Sequence, residues 1–167
     1  MKQNTLTAEQ VIEALGLVPE TVEGGLYRST YRSAAKTYDG KTAGSAIFYM
    51  LRGDAFSHLH KLSSDEMYHF YLGDPVELVE LTPDGECKKT VLGSDLAGGE
   101  SLQYLVPAGN WQGSCLAESG KWALLGTTVW PGFSREGYEH ADAETLLGLY
   151  PSARKEILRL TGKRIKS

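Results

Sequence analysis

Two histidines one residue apart, His58 and His60, followed shortly by Glu66, are the residues of this chain best suited to chemistry. Along a strand, side chains i and i+2 share a face. The run from Phe56 to His60 therefore predicts an aromatic ring and two imidazoles aimed at one volume. If the strand belongs to a barrel, that volume is the interior, where ligands are held. Three of the four histidines, His58, His60 and His69, fall within twelve residues. Two imidazoles and a carboxylate form the 2-His-1-carboxylate set suited to a divalent first-row metal, so that a bound metal ion is one reading. Acid–base catalysis is the other. An imidazole titrating near neutrality acts as base, oriented by Glu66 or Asp65, and a tyrosine hydroxyl acts as acid. Tyr68 has the parity of Glu66 and is predicted to point inward with it, whereas His69 faces out. Burying such polar groups in an apolar interior costs free energy unless each finds a partner, which argues for function over mere structure.

The elements that must position these groups are mostly strands. Segments 27–33, 45–51, 67–72, 76–81, 87–92, 103–106, 113–117 and 122–129 read as short strands, separated by turn signals such as Asp39-Gly40, Pro83-Asp84-Gly85 and Ser119-Gly120. Short strands at regular intervals predict a closed or sandwiched β architecture with its core over about 26–133. Helices are predicted at the ends, over 7–15 and within 143–162. Thr7 and Gln10 make a capping box and Gly16 stops the first helix. Asp142 caps 143–149, Pro151 breaks the chain, and Ser152 is expected to cap 153–160. The 167 residues read as a single domain.

Other residues have both a functional and a structural reading. Arg28 and Arg32 share parity on their strand, so that two guanidiniums either clamp a phosphate or carboxylate or form a solvated edge face. Trp111 either stacks on a ligand ring or fills the barrel mouth. Phe56, if inward, narrows the cavity towards a small or planar ligand.

Composition excludes several classes. Net charge is −4 and hydrophobic residues make up 41%, values of an ordinary globular protein. The one basic run, the tail from Lys163 to Lys166, gives no nucleic-acid-binding surface and reads as a solvated end. No segment is long and apolar enough to span a bilayer, and the first residues lack the apolar stretch of a secretory signal. Cys87 and Cys115 are too few and too far apart for a disulfide scaffold. A cytoplasmic protein with reduced thiols is expected. Dinucleotide fingerprints, P-loops and His-Glu-x-x-His are absent.

The pattern Gly53, four residues, His58-Leu59-His60, five residues, Glu66, six residues, Gly73 resembles the first motif of the cupin superfamily, with the two inner spacers each changed by one residue. Pro107-Ala108-Gly109 followed by Asn110-Trp111-Gln112 resembles the second motif, with Gln112 at its histidine. A closer resemblance, to the cupin 5 (DUF985) family, rests on Glu23-Gly24-Gly25-Leu26-Tyr27-Arg28-Ser29-Thr30-Tyr31-Arg32-Ser33, on Ser57 to Glu66, on His69 to Pro75, on Val106 to Gly113 and on Gly126 to Phe133. It implies a mainly β protein, a double-stranded β-helix (jelly-roll) barrel, with a homodimer as the expected assembly. It also implies a likeness to sugar epimerases of the dTDP-4-dehydrorhamnose type. The functional expectation is a small-molecule-binding cupin acting as an isomerase or epimerase on a sugar or nucleotide-sugar-like substrate. A non-enzymatic metabolite binder and a metal-dependent enzyme are the alternatives. In the metal reading the ligands are His58, His60, Glu66 and, in the fourth cupin position, Gln112. The acid–base reading draws on His58, His60, Glu66 and Tyr68, with Phe56, Trp111, Gln112, Arg28 and Arg32 around the ligand.

Overall fold

The computed structural model describes residues 6–163; the N-terminal stretch 1–5 and the basic tail beyond Lys163 lie outside the described residues. Helix α1 (Ala8–Leu15) begins at the capping box: the Thr7 hydroxyl accepts from the Gln10 N–H at 3.3 Å, and the Gln10 side chain accepts from the Thr7 N–H at 2.9 Å. Gly16, at φ 61°, ends it in the left-handed conformation that glycine adopts without strain.

Two antiparallel sheets follow. In spatial order, one holds β1 (Val18–Pro19), β2 (Leu26–Arg32), β3 (Ser45–Arg52), β10 (Trp122–Trp130), β5 (Asp65–Gly73) and β8 (Gln103–Val106). The other holds β11 (Tyr138–His140), β4 (Phe56–Leu62), β9 (Trp111–Leu116), β6 (Val76–Leu81) and β7 (Cys87–Leu92). The sheets face one another as a jelly roll, with helices at both ends of the chain. β1 and β11 are too short and too irregular in pattern for sequence to show.

Three apolar clusters hold this together. Between the sheets lie Tyr49, Leu51, Tyr68, Phe70, Leu78 and Leu125. Against the outside of the five-stranded sheet, Leu59, Val79, Leu81 and Trp111 pack under α2 (Ala143–Leu149) and α3 (Arg154–Leu160) through Leu146, Ile157 and Leu160. Val11 and Leu17 cover Met50 and Leu124 on the outside of the six-stranded sheet. Asp142 caps α2, its carboxylate accepting from the Thr145 N–H at 2.8 Å. Ser152 does not cap α3. A 3-10 turn, Pro151–Ala153, leads directly into α3, and the residue preceding the helix, Ala153, offers no side-chain cap. Proline opens such a turn because it has no N–H to satisfy.

Simple alternation fails at three places in the strands. The register of β2 on β3 shifts between Ser29 and Tyr31, leaving Thr30 as an extra residue. In β4 on β9 it shifts between Ser57 and His60, where three steps on one strand oppose two on the other. In β5 on β10, Leu72 and Phe70 pair with adjacent residues, so that Tyr71 is extra. Each is a β-bulge, which turns the following side chains to the opposite face. No helix among the described residues is long and apolar enough to cross a membrane.

Candidate active site

A cavity of about 300 Å³ opens between the two sheets. The six-stranded sheet gives it Tyr27, Ser29, Ile47, Tyr49, Glu66 and Thr127, the five-stranded sheet gives His60, Leu62 and Tyr138, and the connections add Glu20, Glu23, Phe133 and Arg135. The deepest chemistry gathers around His60, which is 2% exposed. Its Nδ1 lies 2.8 Å from the carbonyl oxygen of His58. A carbonyl oxygen only accepts, so in the neutral ring Nδ1 carries the proton and Nε2 is left with its lone pair. Nε2 stands 4.0 Å from Glu23 Oε2. The Tyr138 ring stacks on the imidazole, with centroids 5.2 Å apart at 17°.

Glu23 arrives from the β1–β2 connection. Two glycines, Gly24 at φ 101° and Gly25 at φ 74°, let the backbone turn there; a Cβ on Gly24 would lie 2.4 Å from the Phe56 carbonyl oxygen. The Tyr49 hydroxyl donates to the Gly24 carbonyl at 2.8 Å, and the His58 N–H donates to the Glu23 carbonyl at 2.7 Å. Ser57 Oγ donates to Glu23 Oε1 at 2.5 Å.

Glu66 faces His60 from the opposite sheet. Its Oε2 accepts from Gln112 Nε2 at 2.8 Å. Burial pushes its carboxyl up from the ordinary 4.5 to about 7. His60 opposes that shift, the charge of Glu23 adds to it, and the bonds from Thr127 and Gln112 pull it back. Nearby, Gln112 Oε1 and Ser114 Oγ are buried without a hydrogen-bond partner. Across the five-stranded sheet, His140, His60, Gln112 and Glu80 form one register row, in which His60, Gln112 and Glu80 are buried and His140 is exposed at the edge. Glu80 is occupied structurally, accepting from the Tyr104 hydroxyl and the Asn110 amide.

The structure thus brings His60, Glu66 and Gln112 together, but His58 does not join them. The bulge in β4 makes Ser57 and His60, rather than His58 and His60, the inward pair. His58 stacks instead on His140, centroids 3.7 Å apart, with its Nδ1 2.8 Å from the Leu59 carbonyl. Phe56 is likewise turned away and packs against the helix-side cluster that also takes Trp111. Trp111 is held there beneath Lys61, whose Nζ lies 4.5 Å from the ring centroid. Arg28 and Arg32 do not share a face, because Thr30 is extra: Arg32 lines the cavity, while the Arg28 guanidinium lies 5.8 Å over Phe48 on the outside. Tyr68 points inward but is built into the core, where burial raises its hydroxyl well above the usual value. His69 faces out, bonded to Thr128 and Gln103.

The expected metal set is not assembled. Among the described residues no three His, Cys, Asp or Glu converge on a point where a metal would sit. His58 is on the wrong side, and the Gln112 nitrogen, not its oxygen, meets Glu66. The donors present do not fit a resident divalent ion.

Sequence reasoning misses Glu23, Tyr138, Arg135 and His140. The Glu-Gly-Gly run is a visible signal for the first. The other three lie on a short edge strand and a 3-10 turn that carry no periodicity.

Two facing antiparallel sheets around a polar-lined cavity make the cupin type of β-barrel. The sequence profile described as "Cupin superfamily (DUF985)" matches residues 9–141, and the chain belongs to that family. Among solved structures, the protein SO0799 from Shewanella oneidensis is 37% identical, with a TM-score of 0.87 over 94% of this chain and 98% of that one. A hypothetical protein from Leishmania major is 32% identical, with a TM-score of 0.86 over 93% and 98%. Bacillus subtilis oxalate decarboxylase, described with Mn(II) centres, shares the fold at 16% identity and a TM-score of 0.55, over 89% of this chain and 38% of that one. No curated protein matches the chain significantly.

Proposed function

We propose that this protein is a small-molecule isomerase or epimerase working by proton transfer next to a carbonyl, on a sugar-sized substrate held between the sheets. One observation carries the reading: a buried imidazole and a carboxyl poised near neutrality stand on opposite walls of one cavity. Titratable groups whose surroundings shift them towards neutrality mark acid–base sites. In the proposed step, His60 Nε2 takes the proton from the carbon beside the carbonyl. Protonated Glu66 donates a hydrogen bond to the carbonyl oxygen as negative charge develops there. For an isomer, Glu66 gives its proton to the carbonyl oxygen and the imidazolium returns its proton to the carbon that bore the carbonyl. The neighbouring hydroxyl gives its proton back to Glu66 as it becomes the new carbonyl. For an epimer, Glu66 delivers its proton to the opposite face of the same carbon and regains one from the imidazolium through water. Glu23 stabilises the charged ring and Tyr138 fixes its plane.

The cavity volume, about 300 Å³, is at the low end for ligand sites and suits a monosaccharide rather than a whole nucleotide sugar. The test is isotope exchange. Wild-type protein incubated with keto- and aldo-sugars and their derivatives in deuterium oxide should place deuterium on carbon, read by NMR and mass spectrometry. His60→Gln and Glu66→Gln should each slow this by about 10²- to 10⁴-fold, the usual range for an acid–base group. Saturable binding of such compounds with no exchange in the wild type would replace catalysis with metabolite binding.

A further inference from the structure

The proton-transfer groups occupy one part of the cavity, while its mouth carries two guanidiniums with no part in that chemistry. Arg32, the last residue of β2, is turned inward by the Thr30 bulge, and its Nη1 donates to the Phe133 carbonyl at 3.1 Å. Arg135 lies in the 3-10 turn Arg135–Gly137, where the Ser134 side chain accepts from the Gly137 N–H. Both line the same cavity. Of the described arginines outside the cavity, Arg52 pairs with Glu9 and Arg159 with Glu77, whereas Arg28 lies over Phe48 and Arg154 stands in no ion pair. Among the described residues, neither Arg32 nor Arg135 stands in any ion pair.

The layout gives these charges a direction. Arg32, Ser45, Val129 and Glu66 form one register row across β2, β3, β10 and β5. Three strand spacings put the backbones of Arg32 and Glu66 about 14 Å apart, a gap into which both side chains reach. A short molecule spanning it would have one end at the guanidiniums and the other at His60 and Glu66. A guanidinium presents a planar fork of N–H donors that matches the oxygens of phosphate or carboxylate. Phe133 beside them offers an apolar face to the carbon skeleton.

We propose that Arg32 and Arg135 form an oxyanion subsite, and that the substrate is a small hydroxy- or oxo-compound bearing a terminal phosphate or carboxylate. The binding claim is independent of the reaction, whereas the word substrate rests on the isomerase reading above. The test is calorimetric titration with matched sets: a neutral sugar, its phosphate ester, its sugar acid, and inorganic phosphate as the bare probe. The proteins are wild type, Arg32→Gln, Arg135→Gln, Arg135→Lys and His60→Gln, each checked for a native circular dichroism spectrum. Both arginines are at the exposed rim, so their variants keep the core.

Anionic members should bind wild type at least about tenfold tighter than the neutral parent, a difference readily measured. Each Gln variant should erase most of that preference, Arg135→Lys should recover part of it, and His60→Gln should keep it. A larger gain for the ester than for the acid assigns phosphate; the reverse assigns carboxylate. Equal affinity for neutral and anionic members, or a preference unchanged in both Gln variants, overturns the subsite. Arginine-dependent binding without isotope exchange leaves the subsite standing and retires the isomerase.

Discussion

Glu66 holds its proton to about pH 7 because burial removes water from the carboxylate, and this couples the site to stability. In the unfolded chain the group titrates near its ordinary 4.5. Between those values the unfolded state releases a proton that the folded state keeps, so stability falls as pH rises through the window and levels off above it. The shift corresponds to roughly 3 kcal/mol at one proton per 1.36 kcal/mol per unit. Glu66→Gln should therefore match wild type near pH 4 and exceed it by up to about 3 kcal/mol at pH 8. Urea unfolding across that range checks this, and a difference that does not change with pH defeats it. Gln112 poses a second residue-scale question. Gln112→His puts a second imidazole beside His60 and Glu66, and should raise the zinc retained after dialysis well above wild type, as read by elemental analysis. His60, Glu66 and Gln112 are legible in the sequence because their spacing carries a motif. Glu23 and Arg135 are not, because the chain connections that bring them in take their positions from tertiary closure.

At the scale of elements, β11 is the weakest part of the site wall. It is an edge strand of three residues paired to β4 alone, yet it carries Tyr138 into the cavity. Its His140 is held below the usual imidazole range by burial and by the charges of His58 and His60, with Glu23 opposing. A base whose folded value is lowered contributes stability above that range and loses it as pH falls. Protonation of His140 would press a cationic ring against the His58 ring, with centroids 3.7 Å apart. Hydrogen exchange at the Ala141 N–H, which donates to the Leu59 carbonyl at 3.0 Å, should become faster, after correction for the intrinsic rate, between pH 7 and about 5.5. His140→Phe keeps a ring there without a charge and should flatten the dependence. Strand existence is readable throughout the core, since eight of the strands follow from apolar runs between turns. Which face each residue presents is not. Bulges at Thr30, at His58–Leu59 and at Tyr71 arise from pairing between distant segments, which no local pattern records.

For the molecule as a whole, the two sheets meet over a partly polar interior, so a ligand that fills it joins walls that are otherwise held by core packing. A compound binding the folded state alone adds roughly 2.7 kcal/mol at one hundred times its Kd. For a chain of this size that is a rise of about 5–10 °C in Tm, and a thermal-shift screen of sugar phosphates and sugar acids should find it. Compounds giving such shifts in wild type should give smaller ones in Arg32→Gln. The architecture itself is the most legible layer, because turn residues, the capping box of α1 and strand lengths all agree with it. The surplus residues in the strands have one more implication. Single-residue deletions at these places conserve the interior. An in-frame loss of the Thr30 codon would leave Tyr31 opposite Ala46 and Arg32 opposite Ser45 in a regular ladder, with Arg32 still facing the cavity. A loss of one residue from His58–Leu59 would keep Ser57 and His60 as the inward pair. Close homologues differing by such indels would keep the same lining, whereas a one-residue loss from an unbulged stretch would turn every following side chain over.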